Sequence, residues 1–231
     1  MQGVQAATMP RAGSAGRKRV LLIDDHELVR DGLRLIIDGT KDLCVCADVA
    51  DVAGGQQAVA ELQPDVAVVD LSLRAGGIDG LSLVKWIYTQ HPKTKCVVSS
   101  MHEERLYGER ALRAGAAGYV SKSAPARSVL EAIRRACAGQ LHFSQELVDA
   151  MLRRSAHSGR VERSPIENFS DRELQVFRGI GQGLSSKEIA SALHVSVSTI
   201  DTYRERLKIK LGVGSGAELV HRATRWNLEN P

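Results

Sequence analysis

The stretch VLLIDDHE, positions 20–27, runs four aliphatic residues into two adjacent carboxylates, Asp24 and Asp25. Like charges side by side at the end of an apolar run call for a positive partner, resident or arriving. Three more residues with chemical potential sit at the ends of short apolar runs: Asp70 closes DVAVVD, Ser100 closes KCVVSS, and Lys122 follows AGYVS. Three carboxylates at one edge form an oxygen-rich pocket suited to a hard divalent cation such as Mg²⁺. Such a metal, a carboxylate nucleophile, a hydroxyl and a lysine together suffice to stabilise a phosphoryl group in line with Asp70. Taken singly, each residue reads as a polar strand end touching solvent. Coincidence becomes a poor account when all five fall at the ends of the right strands.

The elements that must position them are legible from periodicity. Apolar runs at 20–23, 43–49, 65–70, 95–100 and 117–120 alternate with amphipathic stretches such as HELVRDGLRLIID and APARSVLEAIRRACAG, the signature of βα units around a parallel sheet. The expected architecture is an α/β domain with a doubly wound five-stranded parallel sheet of order 2-1-3-4-5, followed by an all-α domain. In that order the first and third strands are neighbours, so Asp24, Asp25 and Asp70 meet outside their carboxyl ends, where open α/β sheets bind ligands. The first domain is expected over 19–139, after a disordered tail at 1–18 that is small, polar and rich in Gly and Ala. Residues 140–168 read as a short helix, SQELVDAMLRR, and a linker, SAHSGRVERSPIEN, without apolar period.

At these residues the chain resembles the receiver domain of bacterial two-component response regulators: IDDHELVR, VVDLSL, SSMHEE and GAAGYVSKSAPA carry the likeness over roughly 19–139. The resemblance implies that Asp70 is the phosphoacceptor, that Asp24 and Asp25 hold Mg²⁺ with the backbone carbonyl of Ser72, that Ser100 and Tyr119 form a switch pair, and that Lys122 contacts the phosphoryl group. Ser100 is preferred to Ser99 because Met101 and His102 follow it as in the family. The loop LSLRAGGIDGL departs from the pattern, lacking the usual proline and running longer before Gly80.

Residues 169–231 contain four helical patterns. Ser170 and Glu173 form a capping box at the first. SSKEIASALH, a turn at HVSV and SVSTIDTYRERLKIKLG have helix-turn-helix spacing. FSDREL, GLSSKEIASAL, VSVSTIDTYRERLKIKLGV and AELVHRA resemble the LuxR-type DNA-binding domain. That likeness implies that the helix from Val197 to Leu211 enters the major groove of double-stranded DNA. Asp201, Thr202 and Glu205 are expected near base edges, and Lys187, Tyr203, Arg204, Arg206 and Lys210 mostly at phosphates. Ser198, Thr199 and Lys208 complete the expected contact set. Ala217, Val220 and Ala223, at helical spacing on the last helix, are the expected dimer contact; packing within the domain is a close alternative for each.

Bulk properties agree with this reading. Lys+Arg 31 against Asp+Glu 27 permits nucleic acid as a partner without arguing for it. No apolar run approaches the roughly 20 residues of a membrane span, and the first eighteen residues lack the apolar core of a signal peptide. Cys44, Cys46, Cys96 and Cys137 match neither zinc nor C-x-x-C redox spacing and read as reduced thiols. The expectation is a cytoplasmic transcription regulator of the NarL/FixJ class rather than an enzyme, phosphorylated by a sensor histidine kinase and binding DNA as a homodimer. Two alternatives stand beside it. A regulator using its receiver only for dimerisation is one; the other is an aspartyl-phosphate phosphatase, disfavoured because no second acid stands two residues after Asp70, where Ser72 is found.

Overall fold

The computed structural model describes residues 16–73, 79–156 and 165–229 in two compact units. The first unit alternates β1 (Lys18–Ile23), α1 (Glu27–Asp38), β2 (Leu43–Val49), α2 (Val52–Leu62), β3 (Val66–Val69), α3 (Asp79–Gln90), β4 (Lys95–Ser100), α4 (Glu104–Ala114), β5 (Gly118–Ser121) and α5 (Ala126–Cys137), then adds α6 (Gln145–Ala156). The strands form one parallel sheet of order β2-β1-β3-β4-β5. Sequence expectation and observed order agree.

The sheet is buried on both faces, which is why β1 and β3 read as continuous apolar runs rather than alternating ones. Val20, Leu22, Val66, Val68, Val97 and Val120 point to one side and pack on Ile37 of α1 and on Val129, Ala132, Ile133 and Ala136 of α5. The intervening residues face the other side: a Cβ on Gly55 of α2 would meet Ile23 and Leu83 of α3 at about 3 Å, so only glycine lets α2 approach so closely. The chain is already ordered before the expected start at 19. Lys18 pairs with Asp65 at 2.8 Å, and Arg17 donates to the carbonyls of Asp38 and Thr40.

The segment after α5 belongs to the first unit instead of forming part of a connector. His142 continues the sheet by a bridge beside β5, its N–H donating to Ala117 O and its carbonyl accepting from Tyr119 N. Leu147 of α6 is buried and reaches Gly108 of α4, where a Cβ would approach it to 2.7 Å; the Ser144 N–H donates to Glu104 Oε1. Residues 157–164 of the expected linker lie outside the described residues, as do 1–15 of the expected tail and 74–78 of the long loop.

The second unit comprises a single 3₁₀ turn (Pro165–Asn168) and α7 (Asp171–Gly181), α8 (Ser186–Ala192), α9 (Val197–Leu211) and α10 (Gly216–Glu229). Its core is Phe169, Leu174, Phe177, Ile180, Ile189, Ile200, Leu207, Leu219 and Ala223. Phe177 packs edge-on to Phe169, centroids 5.2 Å apart. Serine hydroxyls cap all four helices: Ser170 and Ser185 in capping boxes with Glu173 and Glu188, Ser196 on Thr199 N, and Ser215 on Glu218 N.

Candidate functional site

Strand register brings the carboxylates together. Ile23 pairs with Val69, and Asp70 N donates to Ile23 O at 2.8 Å, so Asp24 and Asp70 leave adjacent strand ends side by side. Both are buried. On the other flank Lys122 N donates to Ser100 O, extending the β4–β5 ladder by one residue and turning the Lys122 side chain over the same edge. Its Nζ lies 2.6 Å from Asp24 Oδ2 and 2.8 Å from Asp70 Oδ2. The positive partner demanded by the opening sequence is thus resident. Burial pushes the Asp70 carboxyl above its ordinary range, the Lys122 ammonium only partly opposing it. For Lys122 burial acts downward, but hydrogen bonds to Asp24 and Asp70 outweigh it and hold the ammonium above its usual value.

Arg30 fixes the loop that carries Asp24: its Nη1 donates to Asp24 O at 2.7 Å, and its Nε reaches Asp48 at 3.1 Å, where Arg34 also binds. Asp24, Asp25, His26 and Asp70 each offer a ligand atom, all within 4.8 Å of one another. Asp25 Oδ1 is buried without a hydrogen bond; His26 Nδ1 stands 2.7 Å away, outside donor alignment. An oxygen left in that condition, in a set of three carboxylates, fits a divalent cation.

Ser100 is fully buried. Ser99 is buried too, and strand parity separates them: Ser99 pairs with Val120, which faces α5, whereas Ser100 shares the opposite face with Tyr119. The Tyr119 ring is buried, its hydroxyl donates to His102 O at 2.7 Å, and burial drives its ionisation far above the ordinary range. His102 also links the remaining strand ends, its N–H donating to Ser100 Oγ and its Nε2 bonded to Ser72 Oγ at 3.1 Å. The sequence assigns no role to His26, and His102 enters there only as the neighbour that singles out Ser100. Each stands within two residues of an assigned site residue, which is the signal that could have found them.

In the second unit α8 and α9 are joined by a turn in which His194 adopts φ 51°, a left-handed conformation uncommon outside glycine. Lys187, Ser198, Asp201, Thr202, Glu205 and Arg206 are exposed; Thr199, Tyr203, Arg204 and Lys208 are half-buried. Several are engaged within the unit. Glu205 pairs with Lys208 at 2.9 Å, Asp201 accepts from Ser186, Thr202 donates to Ser198 O, and the Arg206 guanidinium lies 6.0 Å from the Tyr203 ring centre. Lys210 is tied inward, to Glu173 Oε2 at 2.6 Å and Asn168 O at 3.0 Å. One expectation is corrected: Ala223 is fully buried, its carbonyl against Gly181 of α7, so it cannot contribute to a dimer surface as Ala217 and Val220, both exposed, can.

All four cysteines are free; Cys46 and Cys96 are buried, and burial pushes the Cys96 thiol up to about 12. No described helix is long and apolar enough to cross a membrane.

An α/β sheet with an acid–lysine pocket at its carboxyl edge, joined to a helix-turn-helix unit, defines the class: a receiver coupled to a DNA-binding domain. Comparison with known families agrees. Residues 20–134 match the response regulator receiver domain and residues 167–223 the bacterial regulatory proteins of the luxR family. Oxygen regulatory protein NreC of Staphylococcus aureus strain JH9 is 33% identical over 214 residues, 91% of this chain and 98% of that protein. A LuxR-family two-component response regulator from Aurantimonas sp. SI85-9A1 is 28% identical with TM-score 0.54, covering 61% of this chain and 99% of that one. RcsB of Salmonella enterica serovar Typhimurium, solved on promoter P1flhDC with the phosphomimetic BeF3⁻, shares the fold at 23% identity and TM-score 0.58, over 90% of this chain and 99% of that one. The chain belongs to the response-regulator family, in its NarL/FixJ class, and is a DNA-binding transcription regulator.

Proposed function

We propose that Asp70 accepts a phosphoryl group from a sensor histidine kinase and that this event controls DNA binding by α9. The observation that carries the reading is the Lys122 ammonium spanning Asp24 and Asp70, with the buried Ser100 at the end of the neighbouring β4. An Asp70 oxygen forms the new P–O bond as the donor's P–N bond breaks. Asp24, Asp25, Asp70 and the backbone carbonyl of Ser72 would hold Mg²⁺, which neutralises charge on the transferring group. Lys122 stays near the strand ends because its stem is buried, so it can leave Asp70 Oδ2 for a phosphoryl oxygen without leaving the pocket. Ser100 supplies a hydroxyl on the same edge.

The phosphoryl group adds a charge of about −1.5 to −2. Its pull on Ser100 and Lys122 would be transmitted through His102, whose N–H bonds Ser100 and whose carbonyl accepts from Tyr119. Tyr119 lies against the strap at His142 that leads into α6. The active form then binds double-stranded DNA as a homodimer, with Ala217 and Val220 of α10 in the contact and Arg204, Arg206 and Lys187 on phosphates. The promoter complex of RcsB is a precedent for such a fold on DNA.

The test is intact mass after incubation with acetyl phosphate and Mg²⁺, for wild type and Asp70→Asn in parallel, followed by DNA binding of each. One phosphoryl group on wild type alone, with a gain in DNA affinity, is the expected result. Equal DNA binding with and without donor would favour the receiver as a dimerisation module. Steady release of phosphate from small phosphoesters would favour the phosphatase.

A further inference from the structure

We propose that His26 is a nitrogen ligand in the acidic pocket, making it a mixed oxygen–nitrogen site that takes a first-row transition-metal dication ahead of Mg²⁺. The inference rests on the reading of that pocket as metal-holding and adds to it one ligand and one preference. His26 occupies the N-cap of α1, a position where Ser, Thr, Asp and Asn are favoured because their side chains accept from the first turn. Its side chain makes no cap bond. The ring turns instead toward the carboxylates, Nδ1 standing 2.7 Å from Asp25 Oδ1 and 3.3 Å from Asp24 Oδ1.

Those two distances are the second argument. Adjacent ligands of an octahedral ion with bonds of about 2.0–2.1 Å stand roughly 3 Å apart. The Nδ1–Oδ1 separations bracket that spacing, and the 2.7 Å approach is an ion-pair contact that leaves Asp25 Oδ1 without a hydrogen bond. Two ligand atoms held at that spacing are placed as two ligands of one cation would be. The imidazole is also largely exposed, at 65%, so an entering ion meets it at the rim before reaching buried Asp24 and Asp70.

The preference follows from ligand chemistry. Carboxylate and carbonyl oxygens suit Mg²⁺, whereas imidazole nitrogen suits the later first-row ions, whose affinities also rise along the series from Mn²⁺ to Cu²⁺. Because any such site gains affinity along that series, comparing metals in the wild type alone decides nothing. The effect of removing the nitrogen does.

The experiment is calorimetric titration of the full chain with Co²⁺ and with Mg²⁺, for wild type, His26→Ala and Asp25→Asn, with the visible absorption of bound Co²⁺ recorded alongside. His26→Ala should weaken Co²⁺ about tenfold or more and Mg²⁺ by no more than about twofold, and should shift the Co²⁺ bands toward an all-oxygen spectrum. Equal losses for the two metals, or none, with an unchanged Co²⁺ spectrum, would overturn the role of His26 while Asp25→Asn still abolishes binding. Undiminished binding of both metals by Asp25→Asn would instead overturn the pocket itself, and the proposal with it.

Discussion

Lys122 Nζ stands 2.8 Å from Asp70 Oδ2, the end of the fifth strand reaching the end of the third across the intervening β4. This ion pair is almost fully enclosed, with side-chain exposures of 8% and 3%, and the same ammonium also binds Asp24.

Replacing Lys122 with Met leaves two buried carboxylates facing each other, and removal of one partner from an enclosed charge cluster costs about 3–5 kcal/mol. Urea unfolding of the chain at neutral pH should register that loss. The pH dependence has a defined sign. Because Lys122 is held above its ordinary 10.5, its contribution is complete below that value and disappears as pH rises through the higher folded value. Asp70 works in the opposite sense to a paired surface acid: its carboxyl is raised, so its ionisation on going from acid to neutral pH opposes folding. In Lys122→Met that opposition grows, and the variant's deficit should shrink on acidification.

Gly80 is the second residue of α3, and a Cβ there would lie 2.1 Å from Asp70 O and 2.7 Å from Leu71 Cα. Those atoms are backbone and can yield only by moving Asp70. Gly80→Ala should therefore slow phosphoryl uptake from acetyl phosphate by about ten- to a hundredfold, followed as a time course of intact mass. An unchanged rate would show that Asp70 tolerates displacement of its carbonyl.

Glu173 serves two elements at once, accepting from Ser170 N at 2.6 Å and from Lys210 at 2.6 Å. Burial pushes its carboxyl up, but the bonds from Lys210 and Ser170 more than reverse this and hold it below the ordinary 4.5. Its contribution is present above that value and is lost as pH falls through the lower folded one. Glu173→Gln keeps an acceptor for the cap and removes the charge, so it should cost about 1 kcal/mol, limited by the partial exposure of Lys210. Far-UV circular dichroism during urea unfolding would read it, and wild type and variant should converge in acid. Lys210→Ala should likewise lose stability first, and DNA affinity only as a consequence.

Arg204→Ala and Arg206→Ala should each weaken binding to different duplexes by similar factors and lower the slope of log affinity against log salt by about one. A loss confined to one duplex would assign the residue to base reading. Titrations by fluorescence anisotropy at several salt concentrations separate the two outcomes.

Much of this molecule is determined along the chain. Apolar runs at a spacing that alternates with amphipathic periods specify βα units, and a polar residue directly after such a run must emerge at the sheet's carboxyl edge; hence Asp24, Asp70 and Lys122 were assignable before any coordinate. Ser170, Ser185 and Ser196 announce helix starts because capping is a local interaction. What depended on tertiary structure involves residues far apart in sequence. Only the strand register places Ser100 and not Ser99 on the face of Tyr119. Only packing buries Ala223 against Gly181, diverts Lys210 to Glu173, and lays 141–147 along β5 and α4. A helical period reports that a face is apolar, and it cannot say whether the chain itself or another molecule covers that face. His26 and His102 have no assignable role in the sequence for the same reason: an imidazole beside a carboxylate or a serine in sequence acquires a role only when the fold aims its ring.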